Sequence, residues 1–164
     1  MTYTIQTINA PFQLTAYGVS FDDFNDWAGN AKKTAELMTA ITADGSLDKL
    51  LAAGDGVFMQ INSAAQGGKP WRGFGVKGDI DMAGTVKIAI HAQEHAVFSK
   101  VGADKASLAD QLTGEVFGGA MREMIAAGYQ YKVEDDSMGY NFTTVTENTD
   151  GSFTAEMWIP VVKG

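Results

Sequence analysis

The 164 residues carry 20 acidic and 12 basic side chains, a formal charge of −8, no cysteine and two histidines. A chain of this length forms one domain, or two small halves sharing a core, and buries roughly 70% of its unfolded surface without a disulfide or metal staple. The missing cysteine excludes disulfides, thiolate catalysis and cysteine zinc sites, and the scattered basic residues (Lys32-Lys33 is the only adjacent pair) argue against direct nucleic-acid contact, which needs cations to neutralise phosphates.

Met1 to Pro11 holds neither a basic residue nor an apolar run, so no secretory signal is read there. No stretch approaches the roughly 20 apolar residues of a membrane-spanning helix. A soluble, cytoplasmic protein is expected. In chain order, Thr4 to Ser20 reads as extended, broken by Pro11 and Gly18. A helix is predicted from about Asp26 to Ala43, where Trp27, Ala31, Ala35, Met38 and Ile41 share one apolar face. Gly45 interrupts it, and Ser46 is placed to cap a short second helix, Leu47 to Ala53. Gly56 to Asn62 and Trp71 to Ile80 read as strands around the turn-rich stretch Ser63 to Pro70.

The order restarts at Gly84. Thr85 to Val101 is extended with a break at Ala92 to His95. A helix begins at Ser107, with Asp110 completing an approximate capping box, and Gly128 ends it. Its apolar positions are Leu108, Leu112, Val116, Met121, Met124 and Ile125. Gly114, Gly118 and Gly119 inside it each cost about 1 kcal/mol relative to alanine, a cost that close approach of a neighbouring element or plain drift would explain. Tyr129 to Val133, Tyr140 to Thr146 and Phe153 to Val162 follow as strands, with Asp150-Gly151 a hairpin signal.

Each half, about 3–82 and 84–163, therefore reads strand–helix–strand–strand. The predicted fold class is α+β: a tandem repeat with pseudo-two-fold symmetry, a curved antiparallel sheet with both main helices on one face, and a ligand cleft between the halves. The last strand carries the chemical clue. Phe153, Ala155, Met157, Ile159 and Val161 share one face, while Thr154, Glu156 and Trp158 share the other. A half-enclosed pocket suits both residues of the second face: the indole stacks on a flat ligand and the carboxylate neutralises a cation. The bland alternative is a surface strand with an incidental Glu and a semi-buried Trp.

Other motifs weigh less. His91-Ala-Gln-Glu94-His95 spells H-x-x-E-H, but that motif needs a helix. On the extended flanks read here the histidines lie roughly 13 Å apart. Ser46-x-x-Lys49 lacks its companion motifs, and Gly54-Asp-Gly56 and Gly73-x-Gly75 lack the third glycine and following helix of a phosphate loop. Asp79, Asp81 and Glu134-Asp135-Asp136 are read as solvated loop charges, and Trp27 as core.

The run Glu94-His-Ala-Val-Phe-Ser-Lys-Val-Gly102, a helix, Gly128-Tyr129 and the closing Ala-Glu156-Met-Trp158-Ile-Pro160-Val together resemble the gyrase-inhibitor-like family. That family also supplies the effector-binding domains of AraC- and MerR-type regulators and the integron-associated effector-binding proteins. The first half agrees in element order and in Trp71-Arg-Gly-Phe-Gly-Val76. The resemblance implies a single gyrase-inhibitor-like domain over 1–164, with a cleft of aromatics and a glutamate that recognises lipophilic cations; by position that glutamate is Glu156. The stretch Gly139-Tyr-Asn-Phe-Thr143 departs from the family's F-E-x-Y pattern, and no helix-turn-helix DNA-binding segment is read.

The candidate ligand-binding set is Glu156, Trp158, Trp71, Tyr140 and Tyr17. No metal, cofactor or catalytic residue is assigned. Tyr140 depends on the hairpin register: a two-residue turn at Asp150-Gly151 sets Val145 opposite Glu156 and turns Tyr140 and Phe142 to the core, and a three- or five-residue loop reverses this. The expected function is binding of an amphipathic, cationic small molecule, related to transcription regulation, without direct nucleic-acid or membrane contact. The alternatives are a hydrolase of electrophilic xenobiotics in which Glu156 activates water, and a protein partner such as DNA gyrase.

Overall fold

Short polar side chains start the helices by accepting from otherwise unpartnered first-turn amides. Asp26 accepts from the Gly29 amide at 3.1 Å and opens α1 (Trp27–Ala43). Gly45, in the left-handed region at φ 77°, precedes α2 (Ser46–Ala53), so Ser46 is the first helical residue and not the cap. Asp104 accepts from the Ala106 amide at 3.1 Å and the Ser107 hydroxyl at 2.7 Å, opening α3 (Lys105–Glu115) ahead of the predicted box. After α3 the chain runs through Val116–Ala120, kinks at Gly119, whose φ of 165° and ψ of −24° are not helical, and resumes as α4 (Met121–Ala126). Val116 and Met124, on either side of the kink, are buried, while Phe117 and Ile125 face outward.

The computed structural model describes residues 2–132 and 140–164. Val133 and the carboxylates Glu134, Asp135 and Asp136 lie outside these residues. The strands are β1 (Tyr3–Thr7), β2 (Phe12–Ser20), β3 (Phe58–Gln66), β4 (Lys69–Lys77), β5 (Val86–Ile90), β6 (Glu94–Gly102), β7 (Tyr129–Tyr131), β8 (Asn141–Glu147) and β9 (Phe153–Lys163). Gly67 and Gly68, at φ 59° and 82°, form a two-residue turn that carries β3 and β4 into the stretch predicted as loop.

The strands join in the order β1-β6-β9-β8-β3-β4-β2-β5, with β7 added on β9, and every pairing is antiparallel. Exchanging β1 to β4 for β5, β6, β8 and β9 returns the same order, so a pseudo-two-fold axis passes between β3 and β8. Each repeat has one leading strand more than expected, and that strand pairs with the other half: β1 on β6 and β5 on β2.

This exchange curves the sheet. Thr7 and Phe12 are joined by five peptide units, a reach of at most roughly 18 Å. Their strands stand six places apart in the order, roughly 29 Å across a flat sheet. The sheet therefore rolls into an unclosed trough, and the Ile8 amide bonds the Gln93 carbonyl at 2.9 Å where the two linking segments meet. The inside of the trough is the face away from the helices, because Phe12 on β2 reaches Phe142 on β8, three places away, at 6.1 Å between rings.

The helices cover the outer face in two packets. Leu108, Leu112, Val116 and Met124 close over Phe98, Met157 and Ile159 in one half. Ile41, Leu47 and Leu50 close over Tyr17, Phe74 and Val76 in the other. Each such side chain contributes roughly 1.5–3 kcal/mol, which outweighs the helical glycines. A Cβ at Gly114 or Gly118 would meet nothing within 4 Å, so close approach does not explain them. Trp27, expected in the core, is 71% exposed and meets the Phe24 ring edge-on at 5.7 Å. Burial along α1 rises toward its C-terminal end, where Ile41 sits, and leaves the first turn in solvent. No helix among the described residues is long and apolar enough to cross a membrane.

Two glycine substitutions separate packing from propensity. Gly73→Ala drives a methyl into the Trp71 ring, 2.2 Å away as it stands, and should lower stability by about 1–3 kcal/mol in urea denaturation. Gly114→Ala, in open space inside α3, should raise it by about 0.5–1 kcal/mol in the same assay.

Candidate functional site

The β8–β9 turn decides which residues share the inner face. The Asn148 amide donates to the Ser152 carbonyl at 2.7 Å and the Gly151 amide to the Asn148 carbonyl at 3.0 Å, with Gly151 at φ 86°. The loop is thus three residues, Thr149 to Gly151, and not two. It sets Phe142 opposite Trp158 and Thr144 opposite Glu156. Tyr140 and Phe142 consequently point to the inner face with Trp158.

A band of rings lines that face. Trp158 stacks on Phe142 at 5.8 Å with planes 7° apart. His95 meets Trp158 at 6.0 Å and Phe142 at 6.1 Å. Trp71, 5% exposed, folds over the backbone at Gly18 and Gly73, where a Cβ would come within 1.9 Å and 2.2 Å of its ring. Gly75 admits the Thr15 carbonyl, which would stand 2.0 Å from a Cβ. The Gly73-x-Gly75 pair therefore serves strand packing. Tyr140 is 7% exposed and its hydroxyl donates to Gln66 Oε1.

Open volume lies to one side of this band. A shallow depression of about 500 Å³ is lined by Thr2 to Thr4, Gln6, Val97, Ser99 and Glu156. Glu156 stands opposite Ser99 on β6 and Thr144 on β8. Among the described residues, nothing donates a hydrogen bond to its carboxylate and no ion pair reaches it. The next inner-face residue along β9 is Trp158, opposite Val97. The seam between the halves on the inner face is filled by Ile61 and Phe142.

Of the five candidates, Glu156, Trp158, Trp71 and Tyr140 share the inner face. Trp71 and Tyr140 form its buried floor, Trp158 is half-buried, and Glu156 alone borders the depression. Tyr17 lies on the other face, 9% exposed beneath the α1–α2 packet, because it pairs with Phe74 and not with a glycine of the inner row. Residues missed by sequence reading are His95, Ser99, Thr4 and Gln6. The alternation Thr2-Tyr-Thr4-Ile-Gln6, with polar residues on one face and Tyr3 and Ile5 on the other, carried the signal for β1.

The remaining motifs have structural roles. His91 lies in the link between β5 and β6, while His95 is 1% exposed inside the ring cluster. No group of three metal-ligating side chains occurs among the described residues. Asp79 pairs with Lys87 at 2.7 Å. On the outer face the seam is polar: Arg72 donates to Asn62 at 2.8 Å, Asn62 to Asn141 at 3.1 Å, and Asn141 to the Tyr131 hydroxyl at 2.6 Å. Gln60 donates to Asp110 at 3.2 Å and Arg72 stands 3.6 Å from the same carboxylate. Burial pushes the Tyr131 phenol up, so its hydroxyl keeps its proton.

Neither the known protein-family models nor the curated proteins contain a match to this sequence. Solved structures do match in fold. SAV2435 bound to tetraphenylphosphonium superposes with a TM-score of 0.75 at 16% identity, over 99% of this chain and 94% of that one. A Staphylococcus aureus MU50 protein provisionally assigned to bacterial transcription regulation gives 0.72 at 18% identity, over 100% and 99%. An integron cassette protein from the Vibrio cholerae mobile metagenome gives 0.62 at 15%, over 98% and 95%.

His95 makes stability pH-dependent. Burial holds its pKa below the ordinary 6.5, so the unfolded chain binds more protons than the folded one between the two values. Stability should be complete above about pH 6.5 and fall as pH drops toward the folded pKa. Urea midpoints at pH 7.5 and 5.5 check this, and His95→Phe should remove most of the difference.

Proposed function

We propose that this chain, which has the gyrase-inhibitor-like fold of these structures, is a small-molecule-binding effector module for amphipathic organic cations, held at Glu156. The observation that carries the reading is the carboxylate itself. It is half-buried, borders the depression, and has no cationic partner among the described residues. No lysine or arginine lines that depression. A carboxylate whose oxygens have no protein partner is open to charge-assisted hydrogen bonds from a ligand cation.

Two further facts support it. The chain's charge of −8 raises the local concentration of cations, and SAV2435, of the same fold, is bound to the cation tetraphenylphosphonium. Trp158, one residue pair along the same face, offers an apolar flank for the ligand body.

The test uses 4-phenylbenzylamine, protonated at neutral pH, and its neutral isostere 4-phenylbenzyl alcohol. In a Trp27→Phe background, which removes the exposed indole, the amine should quench the remaining fluorescence with a Kd on the order of 10 μM. Glu156→Gln should weaken the amine about tenfold and leave the alcohol unchanged. Equal losses for amine and alcohol would remove the charge role.

A further inference from the structure

The buried outer faces of the strands fix how the two repeats match residue by residue. Tyr17 pairs with Phe74 and Phe98 with Met157, each pair beneath the helices of its own half. One pair further on, Val76 and Ile159 are buried in the same manner. Matched on these residues, the β2–β4 ladder from Leu14·Lys77 to Ser20·Trp71 falls on the β6–β9 ladder from His95·Pro160 to Val101·Thr154. The inner-face pair Gly18·Gly73 then corresponds to Ser99·Glu156, and Trp71 corresponds to Thr154. On the edge strands Val86 and Ile88 correspond to Thr4 and Gln6.

In the first half this place is full. Trp71 lays its indole across the Gly18·Gly73 pair, within 1.9 Å and 2.2 Å of where the missing Cβ atoms would stand, and shares one apolar cluster with Ala16, Val86 and Ile88. Glycine at both positions is what lets a ring lie on the strand backbone. In the second half the matching positions are Ser99, Glu156, Val97, Thr4 and Gln6, and all five line the depression. The residue placed to supply a ring there is Thr154, a short side chain whose hydroxyl donates to Asn148 Oδ1 at 3.0 Å. The depression is therefore the ring position of the second half without its ring.

We infer that an aromatic group of the ligand lies across the Ser99·Glu156 pair, in the position that the Trp71 indole holds across Gly18·Gly73, and that the small side chain of Thr154 keeps this position open. This rests on the reading of Glu156 as the ligand carboxylate and places the ligand's body relative to it. The side chains of Ser99 and Glu156 raise the floor above that of the two glycines, so the ring rides over them and not on bare backbone. A charge attached to such a ring is within reach of the carboxylate. Thr154 is thus the residue that decides whether the site is open or filled by the chain itself.

Two experiments with 4-phenylbenzylamine test the placement. In the wild type, aryl protons of the bound amine should give nuclear Overhauser contacts to the Thr4 methyl and the Ser99 β-protons. In calorimetric titration Thr154→Trp, which supplies the missing indole, should weaken the amine about tenfold or more. Thr154→Val, and Val101→Trp at the position paired with Thr154, should leave it within about twofold. Aryl contacts elsewhere, or unchanged binding by a folded Thr154→Trp, with Glu156→Gln still weakening the amine, overturn the ring position and leave the Glu156 site standing. Binding that ignores Glu156→Gln, or no binding by the wild type, overturns the site and this inference with it. If Thr154→Trp does not fold, the contacts in the wild type decide the matter alone.

Discussion

The link from Thr7 to Phe12 is too short to cross a flat sheet, and much of the molecule follows from that constraint. Because β1 and β2 stand six places apart in the strand order, the sheet has to roll. Rolling creates an inside, and the inside has to be filled. The large rings of Trp71, Phe142 and Trp158 fill it, and glycines at 18 and 73 let the first of these lie flat on the backbone. The same exchange of leading strands makes the two halves inseparable, since each supplies the edge strand of the other. The helices are left for the outer face, where ordinary apolar packing holds them.

The two faces of β9 then do different jobs on one rigid element. Ala155, Met157 and Ile159 are fully buried under α3, which fixes the strand in place. Thr154, Glu156 and Trp158 point the other way and inherit that rigidity. The Glu156 carboxylate is thus carried on a strand that its other face holds in place.

Several polar groups on the outer face pair with one another instead. The outer seam joins Arg72, Asn62, Asn141, Tyr131, Gln60 and Asp110 into a chain of mutual contacts, a tie between the halves with its groups satisfied. His95 is kept neutral by burial within the ring cluster. On the inner side Glu156 borders the depression and has no hydrogen-bond or ion-pair partner among the described residues.

Alternation along Phe153 to Val161 determined by itself which β9 residues face the helices and that Glu156 and Trp158 stand together opposite them. The repeat of element order, and the helices at 27–43 and 105–126, were legible for the same reason: periodicity is a local property of the chain. Tertiary structure alone decided the rest. Whether Tyr140 and Phe142 join Trp158 hung on one residue of loop length, since a single-residue slip turns a whole strand over. Tyr17 was assigned to the cleft, yet pairing with Phe74 sends it beneath α1 and α2. The depression itself is assembled from β1, β6 and β9, which are drawn together from distant parts of the sequence. No local pattern encodes that meeting, because it is produced by the exchange of strands between halves and by the roll which that exchange imposes.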